Sequence, residues 1–233
     1  MNITILTSSH LRHKYLVKKI SKISSQVLYI RENKPYIRTK KTKNIKSYFN
    51  YVSKAEKKIF KRVYLDKKKI KIIDFKYGKI NFKKIKKHIL FNNSKFYIIF
   101  GSSIIKDDLL KFLVRRKAIN IHMGVSPYYK GTDCNFWAIH DSRNDLVGAS
   151  IIMLSKKIDD GKILQICKPK KFKNKFYFTM SVVKIAIDQL TELIINKKIY
   201  NKKINSDKKK LIRYSTRADF DEIAIKKFYD KSL

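Results

Sequence analysis

Asn120 and His122 stand two positions apart in an apolar run from Ala118 to His122. Alternation along an extended strand puts both side chains on one face, within reach of a single reacting group. The amide can polarise a carbonyl without changing charge. The imidazole can stabilise a developing oxyanion when protonated, or relay a proton when neutral. Further along, Asp159-Asp160-Gly161 reads as a loop after a strand. A carboxylate there could swing toward His122, orient its ring, raise its pKa and accept a proton from an attacking amine. Taken singly, each half has a plainer reading: a buried histidine with a satisfied hydrogen bond, and an ordinary turn.

The elements that must position these groups follow from periodicity. Asn2 to Ser8 reads as a short buried strand, and His10 to Ser24 as an amphipathic helix with Leu11, Tyr15, Leu16 and Ile20 at helical spacing. Gln26 to Ile30 returns as a strand. Strand, helix, strand over about thirty residues is a βαβ unit of a parallel sheet, which sets the class as α/β. A Lys- and Thr-rich connection from Asn33 to Lys46 leads into a helical segment from Ser47 to Val63, and 33–70 is expected to be a mobile surface excursion.

Ile70 to Ile73 follows as a short strand and Phe82 to Leu90 as a basic helix. Phe96 to Phe100 is five apolar residues bounded by Gly101-Ser102-Ser103, the pattern of a strand buried on both faces. Asp107 to Arg116 and Cys134 to His140 read as helices. Ala118 to His122, Val147 to Leu154 and Ile163 to Cys167 read as strands that complete a parallel sheet. The last strong element is a helix from Thr179 to Lys197, with Thr179 or Ser181 as its cap. The organisation expected is a domain over 1–200 and a basic tail over 201–233.

With 44% hydrophobic and 32% charged residues the chain should fold as a globular protein with a heavily charged surface. A net charge of +38 raises polyanions as partners, but lysine enriched together with isoleucine and asparagine also fits compositional bias across a proteome. The charge is uneven. Residues 118–155 hold only Lys130 and Arg143 as bases, where 56 spread over the chain would put roughly nine. Five of the six glycines fall between 101 and 161, so the lysine-poor stretch reads as a ligand site on loops beyond strand ends. Two cysteines, Cys134 and Cys167, form neither a disulfide framework nor a metal cluster, and suit a reducing cytoplasm. No leader peptide and no apolar run of membrane-spanning length is visible.

The run Asn120-Ile121-His122-Met123-Gly124-Val125-Ser126-Pro127-Tyr128-Tyr129-Lys130-Gly131, followed by Ile158-Asp159-Asp160-Gly161-Lys162-Ile163-Leu164, resembles the signature of the folate-dependent formyltransferases. The Asn-x-His, the proline five residues on, the basic-Gly pair and the Asp of a Leu-Asp-x-Gly-like loop all have counterparts. Asp159 follows His122 by 37 positions, about the interval the family uses. The likeness covers roughly residues 96–168. It implies a Rossmann-like, mostly parallel open sheet with helices on both faces. It also implies transfer of a formyl group from 10-formyltetrahydrofolate to an amine, with Asn120, His122 and Asp159 catalytic and no metal.

By the same resemblance, Ser103, Ile104, Ile105 and Ile158 line the pterin pocket, Gly124, Ser126, Tyr129 and Lys130 face the acceptor, and Asp160 is a bystander. Many members carry serine at the Gly124 position, leucine at Ser126 and arginine at Lys130, so the acceptor stays open. The favoured acceptor is a small amine, an amino sugar nucleotide or glycinamide ribonucleotide. Methionyl-tRNA is the alternative, disfavoured because the stretch after Lys197 is too short for the barrel that tRNA enzymes add. A basic nucleic-acid-binding protein on an inactive scaffold would need a broken triad.

Overall fold

The computed structural model describes residues 1–33, 42–201 and 210–233. Seven strands form the main sheet: β1 (Asn2–Ser8), β2 (Gln26–Asn33), β3 (Ile70–Lys76), β4 (Ser94–Phe100), β5 (Ile119–His122), β7 (Ala149–Met153) and β8 (Ile163–Cys167). Their spatial order is β3-β2-β1-β4-β5-β7-β8. β3, β2, β1, β4 and β5 pair in parallel. β7 runs antiparallel to both β5 and β8, so the sheet is mostly parallel, as expected, with the one reversal at β7. The nine residues between β7 and β8 permit an antiparallel return and fall short of the dozen or more that a parallel crossover needs.

Strand residues alternate between two cores. Ile3, Ile5, Phe96, Ile98 and Phe100 face one core, which also takes Leu16, Val17 and Ile20 of α1 (Leu11–Ser21). Leu6, Tyr97 and Ile99 face the other, with Leu109 and Leu113 of α5 (Asp107–Arg115). Burial on both faces accounts for the unbroken apolar runs, and each large side chain removed from water contributes about 1.5–3 kcal/mol.

The helix expected from Ser47 is α2 (Lys43–Phe60), capped by Thr42, whose hydroxyl accepts from the Ile45 amide at 3.4 Å. Its Ile45, Tyr48, Ala55 and Phe60 are buried against α7 (Lys175–Ile195). That part of 33–70 is therefore core and not a surface excursion, while 34–41 lie outside the described residues. The basic helix expected over 82–90 is two short ones, α3 (Phe82–Lys86) and α4 (Ile89–Asn92), broken at His88, which caps the second. α7 starts four residues before Thr179. Its cap is Asn174, which accepts from the Phe176 and Tyr177 amides at 2.9 and 3.2 Å.

Of the segment from 201, residues 210–233 carry β9 (Arg213–Ser215) and α8 (Glu222–Asp230). β9 pairs in parallel with β6 (Tyr129–Gly131), and α8 packs on α2 and on α6 (Cys134–His140). No helix among the described residues is long and apolar enough to cross a membrane.

Candidate active site

In an open parallel sheet, loops after neighbouring strands diverge where the crossovers reverse direction, leaving a crevice beyond the carboxyl ends. Here the reversal lies between β1 and β4. A cavity of about 1680 Å³ opens there, walled by the loops after β3, β4, β5 and β7. β5 ends in it. Ile119 and Ile121 point into the core, so period-two alternation sends Asn120 and His122 to the cavity, where Asp159 joins them. Asp159 sits at φ 49° in the left-handed region, which an aspartate tolerates better than most residues.

His122 Nδ1 lies 3.3 Å from Asp159 Oδ1, and Nε2 lies 2.9 Å from the Tyr129 carbonyl oxygen. A carbonyl only accepts, so Nε2 carries a hydrogen. Nδ1 faces a carboxylate and is best satisfied by carrying one too. The imidazolium is therefore the form this site holds. Burial of His122 opposes the charge, but the Asp159 carboxylate and the Cys134 sulfur beside the ring outweigh it and raise the His122 pKa well above 6.5. Burial likewise pushes Asp159 up, and is overcome by His122, the Gly131 amide and Lys130, which together hold it below the ordinary carboxylate range. Gly131 N donates to Asp159 Oδ2 at 3.0 Å. The Asn120 amide makes only a long contact of 3.4 Å to Asp159 Oδ1, which leaves it able to turn to a stronger acceptor.

Ser103, Ile104, Ile105 and Ile158 all line the cavity, Ile104 and Ile158 with exposed side chains. Ser103 is tied down by Glu32, a buried carboxylate at the end of β2. It accepts the Ser103 amide at 2.6 Å, the Ser103 hydroxyl at 2.7 Å and the Gly78 amide at 2.7 Å. Glu32 thus fastens the loops after β3 and β4 to one point, a role that its place in an apolar strand gave no reason to expect.

The four residues expected to face the acceptor land differently. Tyr129 is buried, its hydroxyl 3.3 Å from Asp141 Oδ2, and it serves the site through its backbone carbonyl. Ser126 is buried, its amide donating to Ser150 Oγ at 2.9 Å. Gly124 lies behind His122: a Cβ there would come within 2.7 Å of His122 Nε2 and of Cys134 Cβ, so the backbone approaches too closely for any other residue. Lys130 reaches the site's edge, where it pairs with Asp160, so the presumed bystander anchors a cation.

Another part of the cavity wall comes from segments that carried no signature. Residues 76–79, 214–218 and 220–222 line it, and the Arg217 guanidinium stacks 4.8 Å from the Tyr77 ring centre while bonding to its hydroxyl. The lysine-poor stretch also has a plainer cause than ligand exclusion. Every residue of α6 is buried, as is nearly all of β7, and lysine avoids burial.

No protein-family model and no curated protein matches the sequence. Solved structures do. The formyltransferase PseJ from Anoxybacillus kamchatkensis, in complex with UDP-4,6-dideoxy-4-formamido-L-AltNAc and tetrahydrofolate, is 19% identical. The match covers 93% of this chain and 86% of that one, with a TM-score of 0.53. Phosphoribosylglycinamide formyltransferase from Anaplasma phagocytophilum is 13% identical over 93% of this chain and 98% of that one, with a TM-score of 0.59. The N-formyltransferase from Helicobacter canadensis, in complex with folinic acid and dTDP-3-aminofucose, is 15% identical over 98% and 79%, with a TM-score of 0.56. The seven-stranded, mostly parallel α/β architecture of this chain is the fold of the formyltransferases.

Proposed function

We propose that this protein transfers a formyl group from 10-formyltetrahydrofolate to the amine of a small substrate, an amino sugar nucleotide or glycinamide ribonucleotide. The observation that carries the reading is the buried His122–Asp159 ion pair facing a cavity beside Asn120, on the formyltransferase fold. The cavity's size supports it. Single-ligand pockets run to about 300–1,000 Å³, so 1680 Å³ leaves room for a donor and an acceptor side by side. The exposed Ile104 and Ile158 offer apolar surface to a flat ring, as the donor's pterin requires.

Each residue's chemistry follows from its surroundings. His122 places a fixed positive charge at the cavity floor, where negative charge grows on the formyl oxygen. Asn120 supplies an amide hydrogen that is only loosely engaged beforehand. Asp159 holds the imidazole charged and oriented. Its depressed pKa keeps it a carboxylate beside the imidazolium. As the free amine bonds to the formyl carbon, the bond from that carbon to the donor nitrogen breaks, and the proton lost by the amine is balanced by the one taken up at the nitrogen of the departing tetrahydrofolate. Asp160 holds Lys130 at the edge of the site.

The test is transfer from donor labelled in the formyl carbon to a panel of amines: amino sugar nucleotides, glycinamide ribonucleotide and methionyl-tRNA. Label appearing in a small amine supports the reading. Label appearing only in methionyl-tRNA, or in no amine at saturating donor, overturns it.

A further inference from the structure

The two groups that hold the ion pair from behind belong to one short strand. Tyr129, at the start of β6, gives its carbonyl to His122 Nε2, and Gly131, at its end, gives its amide to Asp159 Oδ2. Three residues cannot hold themselves straight. β6 pairs with no strand of the main sheet and is held by β9, in the register Tyr129 with Arg213, Lys130 with Tyr214 and Gly131 with Ser215. The Ile212 and Arg213 amides donate to the Tyr128 carbonyl at 2.8 and 3.1 Å, and the Thr132 amide donates to the Ser215 carbonyl at 2.9 Å. The approach is close enough that a Cβ on Gly131, which sits at φ 92°, would lie 1.9 Å from the Ser215 oxygen.

Two side chains fix β9: the Ser215 hydroxyl donates to the Thr132 carbonyl at 2.6 Å, and Arg213 ties the strand to α6. Arg213 grips Asp141, just past the end of α6, with Nε to Oδ2 at 2.9 Å and Nη2 to Oδ1 at 2.8 Å. Its guanidinium lies 4.5 Å from the Trp137 ring centre. Asp141 also meets the Tyr129 hydroxyl at 3.3 Å and His140 Nδ1 at 2.8 Å, so Arg213, Tyr129 and His140 converge on one carboxylate. A planar fork on a carboxylate and over an indole is a fixed geometry that lysine cannot reproduce.

We infer that Arg213 is a positioning residue for the reacting centre: by fastening β9 to α6 it holds β6 in the place where Tyr129 and Gly131 grip His122 and Asp159. Arg213 touches neither reacting group. It fixes where their supports lie, and this part of the site comes from a segment more than 80 positions further along the chain. The inference rests on the formyltransferase reading for its kinetic arm only.

The test compares Arg213→Ala and Arg213→Lys with Arg31→Ala, which removes a similar bidentate pair, to Asp74, between β2 and β3 and away from the ion pair. Two quantities are read in each folded variant. One is kcat against the donor KM. The other is the titration of His122 in protein carrying isotope-labelled histidine, the signal assigned by its loss in His122→Ala. For Arg213→Ala we expect kcat to fall on the order of tenfold to a hundredfold, as for a sub-ångström to one-ångström misplacement. The donor KM should stay within about twofold, and the His122 midpoint should move down toward the ordinary 6.5. Arg213→Lys should be intermediate, and Arg31→Ala should resemble the parent on both readouts.

An unchanged His122 titration in folded Arg213→Ala overturns the inference, and so does an equal change in Arg31→Ala. If the alanine variant does not fold, Arg213→Lys decides on the same readouts, and a parent-like titration and kcat in it overturns the inference. A parent protein that transfers formyl to no amine defeats the functional reading and leaves the titration comparison in force.

Discussion

Asp159→Asn removes one charge and changes almost no volume, so its effects trace to the ion pair. At 3.3 Å and an effective dielectric constant of about 20, the attraction between His122 and Asp159 is about 5 kcal/mol. That figure is gross, because burial opposes the charge on both partners. What the variant leaves behind is a buried imidazole with no counter-ion, and breaking a buried pair from one side costs about 3–5 kcal/mol. The ring avoids most of that penalty by giving up its proton, so His122 becomes neutral at pH 7. Loss of one preorganised electrostatic stabiliser lowers kcat by about 10²–10³-fold. Single-turnover formyl transfer at saturating donor measures it. Asp160→Asn, which touches only the Lys130 pair, should stay within about threefold by the modest worth of an exposed pair. A loss of less than tenfold in Asp159→Asn, or an equal loss in Asp160→Asn, would refute the reasoning.

The same substitution has a signature in stability against pH. The folded His122 pKa is raised, so its contribution is complete below 6.5 and is lost as pH rises through the higher folded value. The folded Asp159 pKa is lowered, so its contribution is complete above 3.8 and is lost as pH falls through the lower folded value. The stability difference between parent and Asp159→Asn should therefore be largest between pH 3.8 and 6.5 and shrink on both sides. Denaturant unfolding across pH measures the curve. A difference that keeps growing above pH 8 would mean that His122 is not the partner being stabilised.

Three further outcomes follow. His122→Ala should lower kcat by about 10²-fold or more while a folate analogue binds within a few-fold of the parent in calorimetric titration, because the ring acts on developing charge and not on the pterin; a collapse of affinity would assign His122 to binding. Glu32→Gln turns charge-assisted hydrogen bonds to Ser103 and Gly78 into neutral ones, or breaks them, and should raise the donor KM by about tenfold with kcat little changed; an unchanged KM would mean the two loops hold without it. The acceptor KM should depend weakly on salt, with a log-log slope on the order of one or two, whereas a nucleic acid contacting Z phosphates gives about −0.7Z to −0.9Z; a steep slope would point to a tRNA acceptor despite the cavity.

The order of strands and helices was legible because each strand of a doubly covered sheet is an apolar run and each helix shows an apolar face, as at Phe96 to Phe100 and along α7. What escaped is what periodicity does not encode. The reversal at β7 is set by the short return to β8, and α2 reads as surface until its Tyr48 is seen among Phe136, Phe176, Phe220 and Phe228, four rings drawn from distant parts of the chain. The site divides in the same way. Asn120, His122 and Asp159 announce themselves because their side-chain types are those of polar chemistry and their spacing is local to one strand and one loop. Tyr129 acts through its carbonyl, which every residue possesses, so its type could not mark that role, and Gly131, though marked as a glycine by the close approach of Ser215, gives no sign in its type that its amide would hold Asp159. Their support from Arg213 crosses 72 positions to Asp141, and the Arg217 contact with Tyr77 crosses 140. Short motifs therefore report side chains whose types and spacing are local, while the groups that keep those side chains in place are fixed only when the chain closes on itself. A degenerate copy of this site could keep Asn120, His122 and Asp159 intact and still fail through loss of the β9 clasp, which makes Arg213 a sharper test of a working centre than the signature residues alone.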